Sequence, residues 1–402
     1  MKAILVINTG SSSIKYRFFE VGTYSVIATG LIEKIGEAKS RLKHGWLNKE
    51  NSYEEIEETD HVPDHRKGFD WIVDVNTRTS SGGERDLFGI GHRVVHGGEV
   101  FQEPTLIDDR VIAAIREMIP LAPLHNPANL IGIEVARERR PDVPQVAVFD
   151  TAFHQSMPPH AFHYALPQEL YKTLHVRRYG FHGTSHHYVA RKAAEHLERS
   201  LDRLNLITLH LGNGASAAAI RKGKSIDTSM GMTPLEGLVM GTRCGDIDPA
   251  IHFFISRETG RTNEELETMF NSESGLKGVC GANDMREIIR RANSSDERAQ
   301  LAIDMYCYRI KKYIGAYSAV LGQVDALVFT GGIGENAALI RKGCCDNLES
   351  LGIVLDSEKN EACSQEISEI QGEKSPVKIL VIPTNEEVEI AHQTYELILK
   401  NR

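Results

Sequence analysis

The chain has 402 residues, and at ~150 residues per domain that length supports two or three domains with sizeable cores, which excludes a miniature scaffold held by staples. Hydrophobic residues make up 41% and charged residues 25%, the composition of a globular protein rather than a disordered one. The formal net charge is −9 and there is no long basic block, so the bulk electrostatics recruit neither nucleic acid nor an anionic membrane.

Residues 3–7 form a short β-branched run that enters Gly10-Ser11-Ser12-Ser13 without a small-residue cleavage site. It reads as a first strand and not as a signal peptide. A second strand-like run, 14–20, follows the turn. Residues 33–79 are polar, Glu-rich and weakly periodic, and are expected to be irregular or hairpin-like surface structure. Further strands are expected at 146–149, 206–211, 327–329 and 379–382, each bounded by Gly, Asn, Asp or Pro. Helical periodicity falls on 108–118, 126–137, 185–199, 297–321 and 336–348. The alternation predicts α/β layers with sheets covered by helices.

No apolar stretch reaches the ~18 residues of a membrane span. The six cysteines are scattered with no C-x-x-C pair, which fits a reduced cytoplasm better than a disulfide framework or a zinc site.

One pattern occurs twice. A strand, a turn rich in Gly, Ser and Asn, and a returning strand begin at Ile4 and again at Leu206, where Leu206-Ile207-Thr208-Leu209-His210-Leu211 runs into Gly212-Asn213-Gly214 and on to 217–220. The repetition suggests either a duplicated α/β domain with a cleft between the copies or two unrelated hairpins.

Several segments have the inventory an anion needs. Asn8-Thr9-Gly10-Ser11-Ser12-Ser13-Ile14-Lys15 offers backbone N–H groups, hydroxyls and a cation at a strand end, either to hold phosphate or merely to turn a hairpin. Gly331-Gly332-Ile333-Gly334-Glu335-Asn336 joins a strand to a helical pattern, either as a nucleotide cradle or as a tight turn, and it lacks the third glycine of the dinucleotide fingerprint. Two runs, Gly91-His92-Arg93-Val94-Val95-His96-Gly97-Gly98-Glu99 and Arg177 to His187, place Arg and His between glycines. Helix capping by Thr184 or Ser185 accounts for part of the second. Arg243, in Gly241-Thr242-Arg243-Cys244-Gly245-Asp246, either grips phosphoryl oxygens or pairs with Asp246. Asp150 ends a strand, where α/β sheets place reactive groups, or else caps a helix. Glu386 and Glu387 either favour the dipole of the last helix or help to hold Mg²⁺.

Together these segments resemble the acetate kinase family. Matching stretches include Pro123-Leu124-His125-Asn126-Pro127, Val148-Phe149-Asp150-Thr151-Ala152-Phe153-His154, His210 to Gly214 and Asp227 to Gly237, and they run nearly end to end in family order. The resemblance implies the fold of actin, hexokinase and heat-shock ATPases: an N-terminal α/β domain at 1–150 completed by a last helix at about 386–402, and a nucleotide-binding α/β domain at 151–385. It also implies a cytoplasmic homodimer that uses ATP and ADP with Mg²⁺ or Mn²⁺ to phosphorylate acetate. On the matching positions it implies catalytic roles for Arg93, Asp150, His182 and Arg243. His125 resembles a histidine beside the active site. An acyl pocket of Val95, Leu124, Phe181 and Pro234, with Arg93 also touching the substrate, is implied as well. An ATP site would comprise Lys15, His210, Leu211, Gly212, Asn213, Gly214, Asp284, Met285, Arg286, Gly332, Ile333, Gly334, Glu335 and Asn336, and a magnesium-associated pair would be Asn8 and Glu386. Two rivals are a propionate or butyrate kinase of the same family and, from another class, a nucleotide-gated binding or filament ATPase on the same fold.

Overall fold

A computed structural model describes residues 2–48, 50, 52–79, 86–123, 125–364 and 366–402. The chain divides into two compact units, Met1–Phe153 with Asn385–Arg402, and His154–Thr384.

In the first unit, the strands are β1 (Lys2–Thr9), β2 (Ser13–Glu20), β3 (Val26–Glu33), β4 (Ser40–Leu47), β5 (Tyr53–Asp60), β6 (Asp86–Val94), β7 (Thr105–Leu106) and β8 (Gln145–Phe149). They form one sheet in the order β5-β4-β3-β2-β1-β6-β8-β7. β1 runs antiparallel to β2 and parallel to β6, and β6 runs parallel to β8. The pleat sorts β1 by alternation. Ala3, Leu5 and Ile7 pack with Phe69, Ile72 and Val75 of helix α1 (His65–Thr79) and with Val135 and Ala136 of α3 (Asn126–Arg139), which follows α2 (Asp109–Glu117). Ile4 and Val6 face Ile390, Ala391 and Ile398 of the C-terminal helix Glu386–Lys400. A strand covered on both faces must be apolar throughout, which is why 3–7 carries no polar alternation. The C-terminal helix lies so close to β6 that a β-carbon at Gly91 would fall 2.4 Å from Thr394 Oγ1 and one at Gly89 would fall 2.3 Å from Ile398 Cδ1.

The hairpin expected within 33–79 is present, β4 pairing antiparallel with β5, whereas the fifteen-residue α1 corrects the irregular part of that reading. The helix buries Phe69, Ile72 and Val75, every third residue, between charged neighbours that dilute the pattern.

The second unit contains β9 (Asn205–Leu211), β10 (Ala215–Arg221), β11 (Lys224–Thr228), β12 (Ala326–Thr330), β13 (Ser368–Glu369) and β14 (Lys378–Val381). Their order is β11-β10-β9-β12-β14-β13, with β9 antiparallel to β10 and parallel to β12, and β12 parallel to β14. Position by position this repeats the order and sense of β3-β2-β1-β6-β8-β7, so the two units share one topology and the first adds β4 and β5 at its edge. The helix Gly183–His196 packs on β9, and the long helix Glu297–Leu321 packs on β10. Among the described residues no helix is long and apolar enough to cross a membrane.

Candidate active site

In the first unit the side chains expected to react sit where parallel strands end, the position at which open α/β sheets expose backbone and side chains together. In the first unit, β1, β6 and β8 bring Asn8, Arg93 and Asp150 to one edge. Asp150 is 1% exposed. Its carboxylate accepts from Arg93 Nη2 at 2.6 Å and from Nε at 3.1 and 3.2 Å, so it pairs with that guanidinium. The charge of Asp150 is the main reason that the Arg93 guanidinium is held above its ordinary pKa, helped by Glu386 and Glu387.

The two glutamates that open the C-terminal helix behave differently. Glu387 accepts Lys15 Nζ at 2.9 Å and Arg17 Nη1 at 2.9 Å, so Lys15, expected at the nucleotide, is here anchored on a carboxylate. Glu386 forms no ion pair within 4 Å among the described residues, and burial together with the negative charges of Asp150 and Glu387 raises its pKa, against the pull of Arg93 and Lys15. Among the described residues no group of three His, Cys, Asp or Glu side chains forms a protein-only metal cage.

Two asparagines that the sequence did not single out for a role hold this edge in shape. Asn129 donates to Thr9 O at 2.7 Å and accepts from Val95 N at 3.1 Å, tying the end of β1 to the end of β6. Asn126 brackets His96, accepting from its N and donating to its O. His65 of α1 fixes the glycine turn through Gly10 O at 2.7 Å. His125 precedes α3 as its cap residue. Val95 is half-buried beside Asn129, and the expected pocket residue Leu124 lies outside the described residues.

In the second unit, Gly214 is flanked by two of the expected catalytic groups. A β-carbon there would lie 2.6 Å from Arg243 Nη2 and 3.4 to 3.5 Å from His182 Cε1 and Nε2. Arg243 donates to Pro234 O at 2.6 Å, and among the described residues it has no carboxylate partner. Asp246 is instead held by Tyr313 at 2.9 Å and by Arg309 at 3.4 Å. Burial lowers the pKa of Arg243, which is the response of a cation removed from water without an anion beside it.

His182 adopts the left-handed conformation, φ 56° and ψ 24°, at the start of its helix and makes no side-chain cap. Non-glycine residues held there are strained by their surroundings, and such strain gathers at functional sites. Thr184 and Ser185 do not cap this helix as expected, because it begins at Gly183; the Ser185 hydroxyl instead bonds His210 Nδ1 and Thr384 Oγ1, each at 2.8 Å. The His182 and His210 rings stack with centroids 4.3 Å apart. Phe181 is buried and Pro234 half-buried.

Gly212, Asn213, Asp284, Met285, Arg286, Gly332, Ile333 and Asn336 line one cavity of about 800 Å³, together with Asn283, Ile289 and Ala337, which sequence reasoning missed. Asp284 caps the helix Met285–Ala292 and is held down to about 2, chiefly by its hydrogen bonds from Arg286. Leu211 and Gly334 lie beneath this surface, in the packing. The Glu335 carboxylate turns inward to accept Gly331 N at 2.9 Å and Thr384 N at 3.0 Å, so it shapes the loop.

A sequence profile described as the acetokinase family matches residues 3–392. A protein of Syntrophobacter fumaroxidans named acetate kinase is 62% identical over 98% of this chain and 97% of its own length. Among solved structures, the acetate kinase of Porphyromonas gingivalis superposes with a TM-score of 0.93 at 45% identity, covering 99% of this chain and 100% of that one. A propionate kinase of Francisella tularensis superposes with a TM-score of 0.90 at 43% identity, covering 98% and 100%.

Proposed function

This chain belongs to the acetokinase family, and we infer that it reversibly transfers the γ-phosphoryl group of ATP to acetate, giving acetyl phosphate and ADP by direct in-line transfer. The observation that carries this reading is Arg243. A half-buried guanidinium with no carboxylate partner among the described residues, beside His182 at a glycine turn whose Gly212 and Asn213 line a cavity of about 800 Å³, suits a ligand that brings negative charge.

Acetate is already a deprotonated nucleophile, so the reaction needs no strong base. It needs two anions held together in line, and the transition state spreads charge over the equatorial phosphoryl oxygens. We assign Arg243 and His182 to those oxygens, Arg93, oriented by Asp150, to the acyl and phosphoryl side, and the cavity of Asn213, Asp284, Arg286 and Gly332 to the nucleotide. Lys15 belongs to the same nucleotide assignment, and Val95, Leu124, Phe181 and Pro234 to the acyl methyl.

Mg²⁺ or Mn²⁺ suits the donor set in the first unit. Lys15 and Arg17 occupy Glu387, and Arg93 occupies Asp150, which leaves Glu386 as the carboxylate in need of a cation. Asn8 and Glu386 would hold the ion by hard oxygen donors, and when bound it supplies charge neutralisation at the phosphates. We place the protein in the cytoplasm as a homodimer. In the second unit, Phe253, Phe254 and Tyr308 are 61%, 57% and 66% exposed, as side chains awaiting a partner surface would be.

The test is a carboxylate panel with ATP and Mg²⁺, trapping acyl phosphate with hydroxylamine. Turnover strictly dependent on carboxylate, best with acetate, is expected. Because the propionate kinase superposes nearly as well, propionate is the second substrate to score; one methylene is worth only ~1 to 3 kcal/mol in an apolar pocket, so it should react, less efficiently. Carboxylate-independent hydrolysis would indicate a nucleotide gate instead.

A further inference from the structure

His182 stands at the end of a buried chain of side chains whose hydrogen-bond direction can be worked out. Its Nδ1 lies 2.9 Å from Ser216 Oγ, which lies 2.7 Å from His186 Nε2, and His186 Nδ1 lies 2.7 Å from Thr208 Oγ1. Ser216, His186 and Thr208 are all fully buried. The count of donors and acceptors places one proton at each link.

The far end decides the direction. Among the described residues, the Thr208 hydroxyl has His186 Nδ1 as its one partner. If His186 donated from Nδ1, the Thr208 proton would be buried with nothing to accept it, at a cost that folded proteins avoid. Thr208 therefore donates. Burial keeps His186 neutral, and a neutral imidazole that accepts at one nitrogen carries its proton at the other. His186 thus donates from Nε2 to Ser216. The serine proton must then go to its remaining partner, His182 Nδ1. An imidazole that accepts at Nδ1 bears its hydrogen at Nε2, the edge that faces Gly214 beside Arg243.

We propose that Thr208, His186 and Ser216 are positioning residues that fix His182 as the Nε2–H tautomer, presenting a neutral hydrogen-bond donor where the phosphoryl oxygens are taken to sit. The inference rests on the reading of His182 as a phosphoryl ligand for its purpose, but not for its geometry. Reversing the chain would leave Nε2 a lone pair aimed at an anion, so the distant Thr208 hydroxyl sets the sign of the interaction at the site. It also gives Ser185 a separate duty, since that hydroxyl serves His210 and Thr384 and stays outside the chain.

The test has two arms. In the wild-type protein with ¹⁵N-labelled histidine, the His182 signals, assigned by their loss in His182→Gln, should show the Nε2–H tautomer at neutral pH, as should those of His186; a His182 proton on Nδ1, or an imidazolium, overturns the proposal whatever the enzyme's substrate. In the second arm, Thr208→Val and Ser216→Ala should each lower kcat roughly 10- to 100-fold, the range for removing a partner that orients a functional histidine, with KM for ATP unchanged. Thr208→Ser, which keeps the hydroxyl, should restore kcat. Unchanged kcat in folded Thr208→Val, or a loss that Thr208→Ser does not repair, overturns the relay. Absence of carboxylate-dependent turnover in the wild type would defeat the functional reading and leave the tautomer result standing.

Discussion

Asp150 Oδ2 accepts a hydrogen bond from Arg93 Nη2 at 2.6 Å, and the side chain of the aspartate is 2% exposed whereas that of the arginine is 22% exposed. A carboxylate so buried depends on its partner, while the arginine keeps a route to water and to a ligand. Replacing Arg93 with Met should destabilise the fold by about 3 kcal/mol, because a buried carboxylate loses its guanidinium partner. The double variant Arg93→Met with Asp150→Asn should recover at least half of that loss. Urea unfolding checks both, and equal stabilities of the single and double variants would contradict the coupling.

Arg243 and Gly214 should behave as one unit. Arg243→Ala is expected to lower kcat on the order of 10² to 10³, the worth of one charge-stabilising donor in a transition state. Gly214→Ala puts a methyl group 2.6 Å from Arg243 Nη2, and displacing that guanidinium should itself cost on the order of 10²-fold. The double variant should then be little worse than Arg243→Ala alone. Turnover measured by hydroxylamine trapping decides this, and full additivity would mean that the two act separately.

The two adjacent glutamates should separate by metal dependence. Glu386→Gln should raise the Mg²⁺ concentration needed for half-maximal activity by at least the roughly 10-fold that loss of a supporting partner costs at a metal site. Glu387→Gln should leave that requirement in place and weaken ATP binding, since Lys15 and Arg17 lose their anchor. Mg²⁺ titrations at fixed ATP distinguish them, and the reverse assignment follows if Glu387→Gln alone shifts the metal curve.

Stability should fall as mildly acid pH is approached, and His92 is one cause. Burial pushes its pKa from 6.5 down to about 4, against a hydrogen bond with Gln145. Between those values the unfolded chain takes up a proton that the native state refuses, so stability rises with pH across this window and levels off outside it. The slope from one such group approaches ~1.4 kcal/mol per pH unit. His92→Gln should be less stable at pH 7.5 yet lose less on going down to pH 4, as denaturation midpoints at stepped pH would show. Parallel profiles for the two proteins would remove His92 as the cause.

What could be read from the residues was what neighbours along the chain encode. The buried runs at 3–7 and 206–211 announce themselves because both faces of β1 and of β9 are covered, and the glycine turns after them follow from local backbone needs. Helix α1 stayed hidden because its apolar triplet sits among charges. Asn129, Thr208 and Ser216 stayed hidden for another reason: each is an ordinary polar residue in its own neighbourhood, and its importance lies in a partner far along the chain, such as Thr9 for Asn129. No periodicity records such pairings. Asp246 shows the same limit, since Arg243, close by in sequence, was the obvious partner and Tyr313 and Arg309 are the actual ones.

The helix Glu386–Lys400 covers Ile4 and Val6, although the whole of the second unit is synthesised between them. During translation the central strand of the first unit must therefore wait, one apolar face bare, until the helix Glu386–Lys400 has emerged. The intervening unit carries a six-stranded sheet of its own and can close on itself sooner. A nascent chain halted before Glu386 should accordingly display greasy surface to chaperones, which the helix hides once it docks.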